Sequence, residues 1–479
     1  MKHFTVCLLA VSALLFAQSI ATAQIGAPLP GPTQNAFYVD PVNGSMTGDG
    51  SMANPWRTLQ EVWTSKLING VDQSSGVVHA GDVIYLLTGN HGALDISPYR
   101  GSKKVANTDY ITLEAAPGHR PVMNSIRFTT CAKWIVRGIT FENPPVMTTK
   151  PSLIYAGKCT DIILDSNTIC SAENAVEWTP EEWPTLCAEF GINFNVVRRA
   201  TVSNNTIKAV HNGITLRGSS LLVTGNTIDY FANDGIQFSS SDTIISHNIV
   251  SNHYGLWHDG YHHDGMQGWT AYDETFTTNV VIDSNMVLAS TGAYSTIPAA
   301  PTGAGDDYMQ GISIFDGVWD HLTVTNNVVT AAANHGMSFY CPNDSVIANN
   351  IVIGKSSTYT SWLGIFKSKT GINPTNVIVR NNIAEKFSLL ETGVAFDHNL
   401  TFVRSGPVWQ RDAIPVINPL ETFVTYQPSL ALFDFRLKLG SPAIGTGSAL
   451  NAPEFDILSI PRNPLQMDMG AYAYTGEEQ

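Results

Sequence analysis

Between Tyr254 and Trp269 the sequence reads YGLWHDGYHHDGMQGW, gathering His258, Asp259, Tyr261, His262, His263 and Asp264 among aromatic neighbours. So many titratable and aromatic groups in sixteen positions are hard to justify as a solvated loop, and they read as part of a site. Asp264 stands immediately before Gly265, as Asp234 stands before Gly235. Two carboxyls held close together cannot ionise independently, so one is pushed towards its neutral form while the other stays a base. That pairing suits proton donation and proton abstraction within one reaction, and it makes Asp234 and Asp264 the first candidate catalytic residues. The same pair also suits calcium, a hard cation whose oxygen shell Gln237 and Gln267 could complete with neutral amide oxygens. Zinc on His258, His262 and His263 is a weaker alternative, because no cysteine pair or helical histidine spacing accompanies it.

These residues need elements that bring successive segments into register. Gly followed by an apolar residue recurs at Gly191-Ile192, Gly213-Ile214, Gly235-Ile236, Gly265-Met266, Gly311-Ile312 and Gly336-Met337. Aligning on that Gly, and letting strand side chains alternate, sends the residue after Gly into a core and leaves three outward rows. The first is Asn212, Asp234, Asp264, Gln310, His335; the second Thr215, Gln237, Gln267, Ser313, Ser338; the third Arg217, Ser239, Trp269, Phe315, Tyr340. Strands stacked ~4.8 Å apart make the members of each row side-chain neighbours. The result is a strip of carboxylates, amides and hydroxyls beside an aromatic rail, which suits the hydroxyls and the apolar ring faces of a sugar.

A second repeat sets the architecture. Ser166-Asn167, Asn204-Asn205, Gly225-Asn226, His247-Asn248, Ser284-Asn285, Asn326-Asn327, Asn349-Asn350 and Asn381-Asn382 each precede an apolar residue or Thr-Ile, with smallest steps of 21 and 22 residues from Asn205 to Asn226 to Asn248. A β-rich unit of that length cannot bury its apolar face alone, so neighbours stack into a continuous core. The expectation is an all-β, right-handed parallel β-helix with inserted loops, the Asn forming a ladder inside the stack. CAKWIVRGITF from Cys131 superimposes on CTDIILDSNTI from Cys159, so coils begin before residue 131; Gly81–Leu87 and Tyr110–Glu114 read as strands of the first coils. The stretches Glu173–Glu189, Asn252–Phe276 and Ala289–Tyr308 interrupt the repeat and read as projecting loops.

Phe37-Tyr38-Val39-Asp40-Pro41, the glycines Gly44, Gly48 and Gly50, and Asn54-Pro55-Trp56-Arg57-Thr58-Leu59 resemble the start of many secreted right-handed β-helix proteins of the pectate-lyase-like superfamily. Leu439-Gly440-Ser441-Pro442-Ala443-Ile444-Gly445, Pro461-Arg462 and Asp468-Met469-Gly470-Ala471-Tyr472 resemble their ends. The resemblance covers nearly the whole mature chain and implies the fold more sharply than the reaction, since this solenoid hosts lyases, hydrolases, epimerases and non-catalytic binders. Polysaccharide cleavage is the expected activity. In the favoured, lyase form, calcium or Arg217 neutralises a uronate and His263, His335 or Tyr261 removes the acidified proton. The lyases of the superfamily often use a Lys or Arg base, and here only Arg217 stands near the aligned face. In the hydrolase form, Asp234 and Asp264 act as acid and base across a glycosidic bond. That form resembles the polygalacturonase-type enzymes, although Asn334-His335-Gly336 matches their Gly-His-Gly only in part and Arg-Ile-Lys is missing. Gln237, Gln267, Trp269, Tyr340, His258 and Tyr261 join Arg217 as substrate-binding candidates in either form. A third class, a non-catalytic adhesive solenoid, needs the aromatic rail but not the carboxylates.

Lys2, His3, the apolar run Val6–Ala17 and Ala21-Thr22-Ala23 read as a cleaved secretory signal over 1–23. The remainder, 24–479, is expected to be one β-helix domain: a lead-in over about 37–130, regular coils over about 131–400, and a closing segment over about 401–479. A formal net charge of −14 argues against nucleic acid or an anionic membrane as partner. No run is apolar for the ~20 residues of a membrane helix. Cys131, Cys159, Cys170, Cys187 and Cys341 remain after the signal, an odd number that leaves one unpaired within a monomer. Cys131 and Cys159 are expected at one site in adjacent coils, and Cys170 and Cys187 at the base of the Glu173–Glu189 loop.

Overall fold

The structure is a computed structural model that describes residues 25–68, 76–97, 105–142, 152–173, 175–179, 181–254, 262–270, 276–291, 309–355, 360–388, 392–402, 413–416, 418–428 and 431–476. Within these residues the chain winds as a right-handed parallel β-helix, the fold expected from the repeats. Each coil contributes a strand to each of three parallel faces. One face, the site face, runs through Ser125–Thr129, Ser152–Gly157, Ile236–Ser241, His263–Gly268, Met309–Ile314, His335–Tyr340 and Trp362–Phe366. Its inward column is in register from Ile214 through Ile236, Met266, Ile312 and Met337 to Leu363, all fully buried. The strands expected near residues 81–87 and 110–114 are Val83–Leu86 and part of Val105–Ala115, paired with each other in early coils.

The Asn repeat is a corner with two jobs. The residue before each ladder Asn (Ser166, Asn204, Gly225, His247, Ser284, Asn326, Asn349, Asn381 and His398) adopts a left-handed conformation with φ between 51° and 68°, which turns the chain. The following Asn then points inside, where each side-chain amide donates to the next Asn's Oδ1 at 2.9–3.1 Å, from Asn167 through Asn205, Asn226, Asn248, Asn285, Asn327, Asn350 and Asn382 to Asn399. The same amides also donate to strand carbonyls, such as Val223 from Asn248. Every polar atom of the buried ladder is thereby satisfied, so it can lie inside an apolar core.

Leu59–Thr64 forms a short helix, capped by the Thr58 hydroxyl, that sends Leu59, Val62 and Trp63 into the core of the first coils. At the other end a two-stranded antiparallel sheet (Phe423–Gln427, Leu432–Leu437) and the tail pack Phe423, Phe435, Leu437 and Met469 over the outer side chains Val328, Ile351, Ile353, Ile383 and Leu400. The tail also bonds to corner asparagines: Asn349 and Asn381 donate to Asp468 and Ser448 carbonyls, and Arg462 donates to Asn326.

Register places Cys131 beside Cys159, with the Cys131 amide 3.4 Å from the Cys159 sulfur; the pair is a reduced, buried stack. Cys170 ends the strand Thr168–Cys170 and Cys187 follows the helix Trp183–Leu186, so both flank the expected loop. That loop folds back through Trp183, stacked on Tyr254 at 4.7 Å and edge-on to Tyr230. The other two expected loops fall largely on 255–261, 271–275 and 292–308, outside the described residues. Among the described residues no helix is long and apolar enough to cross a membrane.

Candidate active site

The site face owes its chemistry to its column of glycines. A β-carbon on Gly235 would lie 2.3 Å from the Val250 side chain, and one on Gly265 2.1 Å from that of Val287, so both positions face inward without room for a side chain. Ile236 and Met266 follow and are also inward, which breaks the strict alternation of a strand. Asp234 and Gln237 therefore emerge on the same side, three residues apart, and so do Asp264 and Gln267. Gln237 Nε2 donates to Asp234 Oδ2 at 3.1 Å, and Gln267 Nε2 donates to Asp264 Oδ2 at 3.1 Å. The next two coils repeat the geometry with other chemistry: the Ser313 hydroxyl donates to Gln310 at 3.2 Å, and Ser338 Oγ lies 2.8 Å from His335 Nδ1.

Adjacent coils are tied together as well. Gln237 Nε2 donates to Gln267 Oε1 at 2.9 Å, and the Asp264 backbone N–H donates to Asp234 Oδ1 at 3.1 Å. Asp234 is 2% exposed and Asp264 is 0% exposed, so these groups form the floor of the site. Burial pushes the Asp234 carboxyl well above the usual carboxylate range, and the nearby Asp264 charge adds to the rise. Asp264 Oδ1 is buried and has no hydrogen-bond partner among the described residues.

The group that reaches out from this floor is His262. Its Nδ1 lies 2.7 Å from Asp264 Oδ2, and its side chain is half exposed. The bond to Asp264 raises the imidazole pKa above the ordinary value. Beyond it stands an aromatic wall of partly buried rings: Phe315 is 5.8 Å from His262, 5.1 Å from His335 and 5.2 Å from Tyr340, and Tyr340 packs on Phe366. Trp362 meets His335 edge-on at 4.9 Å. Burial lowers the pKa of His335. On the other flank the exposed guanidinium of Arg217 lies over the Trp269 ring at 4.9 Å.

The structure thus brings together Asp234, Asp264, Gln237 and Gln267, with His335 and Tyr340 on neighbouring coils and Arg217 on Trp269. His258 and Tyr261 lie outside the described residues. His263, expected as a base, is 9% exposed and packs its ring on His253 at 4.8 Å; the imidazole on Asp264 belongs to its neighbour. Sequence reasoning gives His262 a role only in the zinc alternative, and it stands just ahead of the strand His263–Gly268. Trp362 escapes it entirely, because its coil lacks the aligned Gly-apolar pair.

The two glutamines do not turn oxygens to the carboxyls as the expected calcium shell supposed. Both glutamines turn amide nitrogens to the carboxylates, and the one oxygen between them, Gln267 Oε1, accepts from Gln237. For zinc, the described residues contain no group of three or more His, Cys, Asp or Glu side chains placed to share an ion.

Residues 124–399 match the family described as right-handed beta helix region. No curated protein matches the chain. Among solved structures it is similar to pectate lyase Pel9A, at 14% identity and TM-score 0.49 over 92% of this chain and 97% of that one. It is similar to a rhamnogalacturonan lyase at 13% identity and TM-score 0.40, over 85% and 97% of the two chains. It is also similar to a GH136 lacto-N-biosidase from Eubacterium ramulus at 11% identity and TM-score 0.38, over 80% and 67%. The family match spans more than half of the sequence and agrees with the three-faced coil, its Asn ladder and its glycine column: the chain belongs to the right-handed β-helix family.

Proposed function

We propose that this chain is a carbohydrate-active enzyme that hydrolyses a glycosidic bond of a polysaccharide laid against the site face, with His262 as the proton donor. The observation that carries the reading is the charge of the floor. A half-exposed imidazole with a raised pKa stands on a fully buried carboxyl, and burial raises the pKa of the carboxyl in the adjacent coil. Glycoside hydrolysis builds positive charge at the anomeric carbon of the bond that breaks, and a buried carboxyl whose Oδ1 has no hydrogen-bond partner among the described residues suits that charge. β-Elimination builds negative charge beside a uronate, which the same carboxyl opposes. Among the described residues Lys369 Nζ is 2.6 Å from Asp316, Arg217 covers Trp269 and Lys386 stands over Trp362. For this reason hydrolysis is preferred to the lyase chemistry expected from sequence.

In the proposed step, protonated His262 gives its Nε2 proton to the glycosidic oxygen as the bond breaks, water adds to the sugar, and the imidazole recovers a proton from that water. Asp264 holds the ring by Nδ1 and keeps it basic enough to be charged; Gln267 and Gln237 fix the two carboxyls. Phe315, Tyr340, Phe366 and Trp362 offer ring faces to the sugars. The test is incubation with polygalacturonate, alginate, xylan, galactan and mannan, with reducing ends as readout. At least one should be cleaved, and His262→Ala should lower turnover by ~10²-fold or more. A His262→Ala protein with full turnover would remove the assignment.

A further inference from the structure

We propose that Trp362 and Ser338 are positioning residues that hold His335 in its neutral Nε2–H tautomer, so that His335 donates a hydrogen bond to the glycan two coils beyond Asp264. The glycan part rests on the hydrolase reading above; the tautomer part does not.

The argument is a count of hydrogens. An indole N–H can only donate, and Trp362 Nε1 lies 3.1 Å from Ser338 Oγ, so it takes one lone pair of that oxygen. Ser338 is fully buried and has a single hydroxyl hydrogen. His335 Nδ1, at 2.8 Å, is the one acceptor that the described residues offer it. If Nδ1 carried a proton, the Ser338 hydrogen would be buried without a partner, an arrangement that folded proteins avoid. Ser338 therefore donates, Nδ1 accepts, and the ring proton sits on Nε2. The cationic ring meets the same obstacle, and burial of the ring acts in the same direction. Phe315 and Trp362 meet the ring edge-on and Phe366 lies beyond them. Nε2 has no hydrogen-bond partner among the described residues, and the ring is partly exposed on the site face.

The local backbone is built for this reach. Ser338 pairs in register with Gly364, where a β-carbon would lie 2.4 Å from the Phe366 ring and 3.1 Å from Trp362. That glycine leaves the space through which the indole reaches back one coil to the serine. The three earlier outward pairs on this face use amide, carboxylate or hydroxyl partners. Only this coil anchors an imidazole through a hydroxyl that is itself anchored.

The test uses the full chain labelled with 15N-histidine, with the His335 signals assigned by their loss in His335→Gln. The expected spectrum at neutral pH has His335 protonated at Nε2 and unprotonated at Nδ1. Ser338→Ala and Trp362→Phe, each shown to be folded by circular dichroism, should shift His335 towards a mixture of tautomers. A wild-type ring protonated at Nδ1, or a pure Nε2–H ring unchanged in both variants, would overturn the relay. On whichever polysaccharide of the panel is cleaved, His335→Gln, which keeps an N–H near the Nε2 position, should hold KM within ~3-fold. His335→Leu should raise it ~10-fold or more with kcat nearly unchanged. Equal KM values for the two would overturn the donor role. If no polysaccharide is cleaved, the hydrolase reading and the donor role fail with it, and the nitrogen spectrum still decides the relay.

Discussion

At the scale of single residues, the two buried aspartates should part company. Burial raises the pKa of Asp234, and its bonds run to Gln237 and the Asp264 backbone, not to His262, so Asp234→Asn should leave turnover within ~10-fold of wild type. Asp264→Asn removes the partner of His262 and should cost ~10²-fold or more. The first variant should also be more stable at neutral pH. A carboxyl whose folded pKa is raised favours folding only below its unfolded pKa of ~3.9 and loses that contribution as pH climbs through the folded value. Asp234→Asn should therefore melt of the order of 1 °C or more higher at neutral pH, and the gain should vanish in acid; a calorimetric scan at both pH values checks this. The pH–rate profile follows from the imidazole. His262 must be protonated, so rate falls as pH rises through its raised pKa. An alkaline limb is therefore expected in steady-state rates, and Asp264→Asn should move it to lower pH. The carboxyl pair is legible from residue types and spacing. His262 stands just ahead of the strand His263–Gly268, so strand alternation does not choose between the two adjacent histidines. What cannot be read from sequence is which way Gln237 and Gln267 point, because an amide offers a donor and an acceptor at nearly the same place and only its partners decide.

At the scale of elements, the corner and the glycine column carry the fold. Asn248→Leu would strand the Asn226 backbone N–H and the Val223 and Ser246 carbonyls inside the core. Each buried orphan costs ~1–3 kcal/mol, so a loss of about 3 kcal/mol or more is expected from denaturant titration. Gly311→Ala would push a β-carbon to 2.0 Å from the Gly336 carbonyl oxygen and 2.4 Å from the Val329 side chain, and should cost about 3 kcal/mol. The regular Asn spacing by itself makes the ladder legible in the sequence. The residue ahead of each Asn is harder to interpret, because its part is conformational. Ser, Gly, His and Asn all serve as left-handed corners, and the doublets at Asn326, Asn349 and Asn381 are explained by the tail that bonds to them. The short Leu59–Thr64 helix leaves no periodic signal. Its capping pair Thr58 and Glu61 is present in the sequence, but six residues are too few for helical periodicity to show.

For the whole molecule, stacking is what makes a site from residues far apart in the sequence. Parallel register brings Asp234, Asp264, Gln310, His335 and Trp362 onto one face, and the spacing of the repeat implies that register. The solenoid is therefore the most legible feature, and the reaction the least, since the same face can serve cations, carboxylates or neutral sugars until hydrogen-bond directions are known. Those directions make the glutamines donors to the carboxyls, and the proposed hydrolysis draws on His262 and Asp264. The most direct test is to digest a susceptible polysaccharide with the full chain in excess chelator and record reducing ends and the ultraviolet absorbance of unsaturated products together. Reducing ends appearing at the rate seen without chelator, with no unsaturated product, is the expected result. Unsaturated product, or activity that chelator abolishes and calcium restores, would contradict the account.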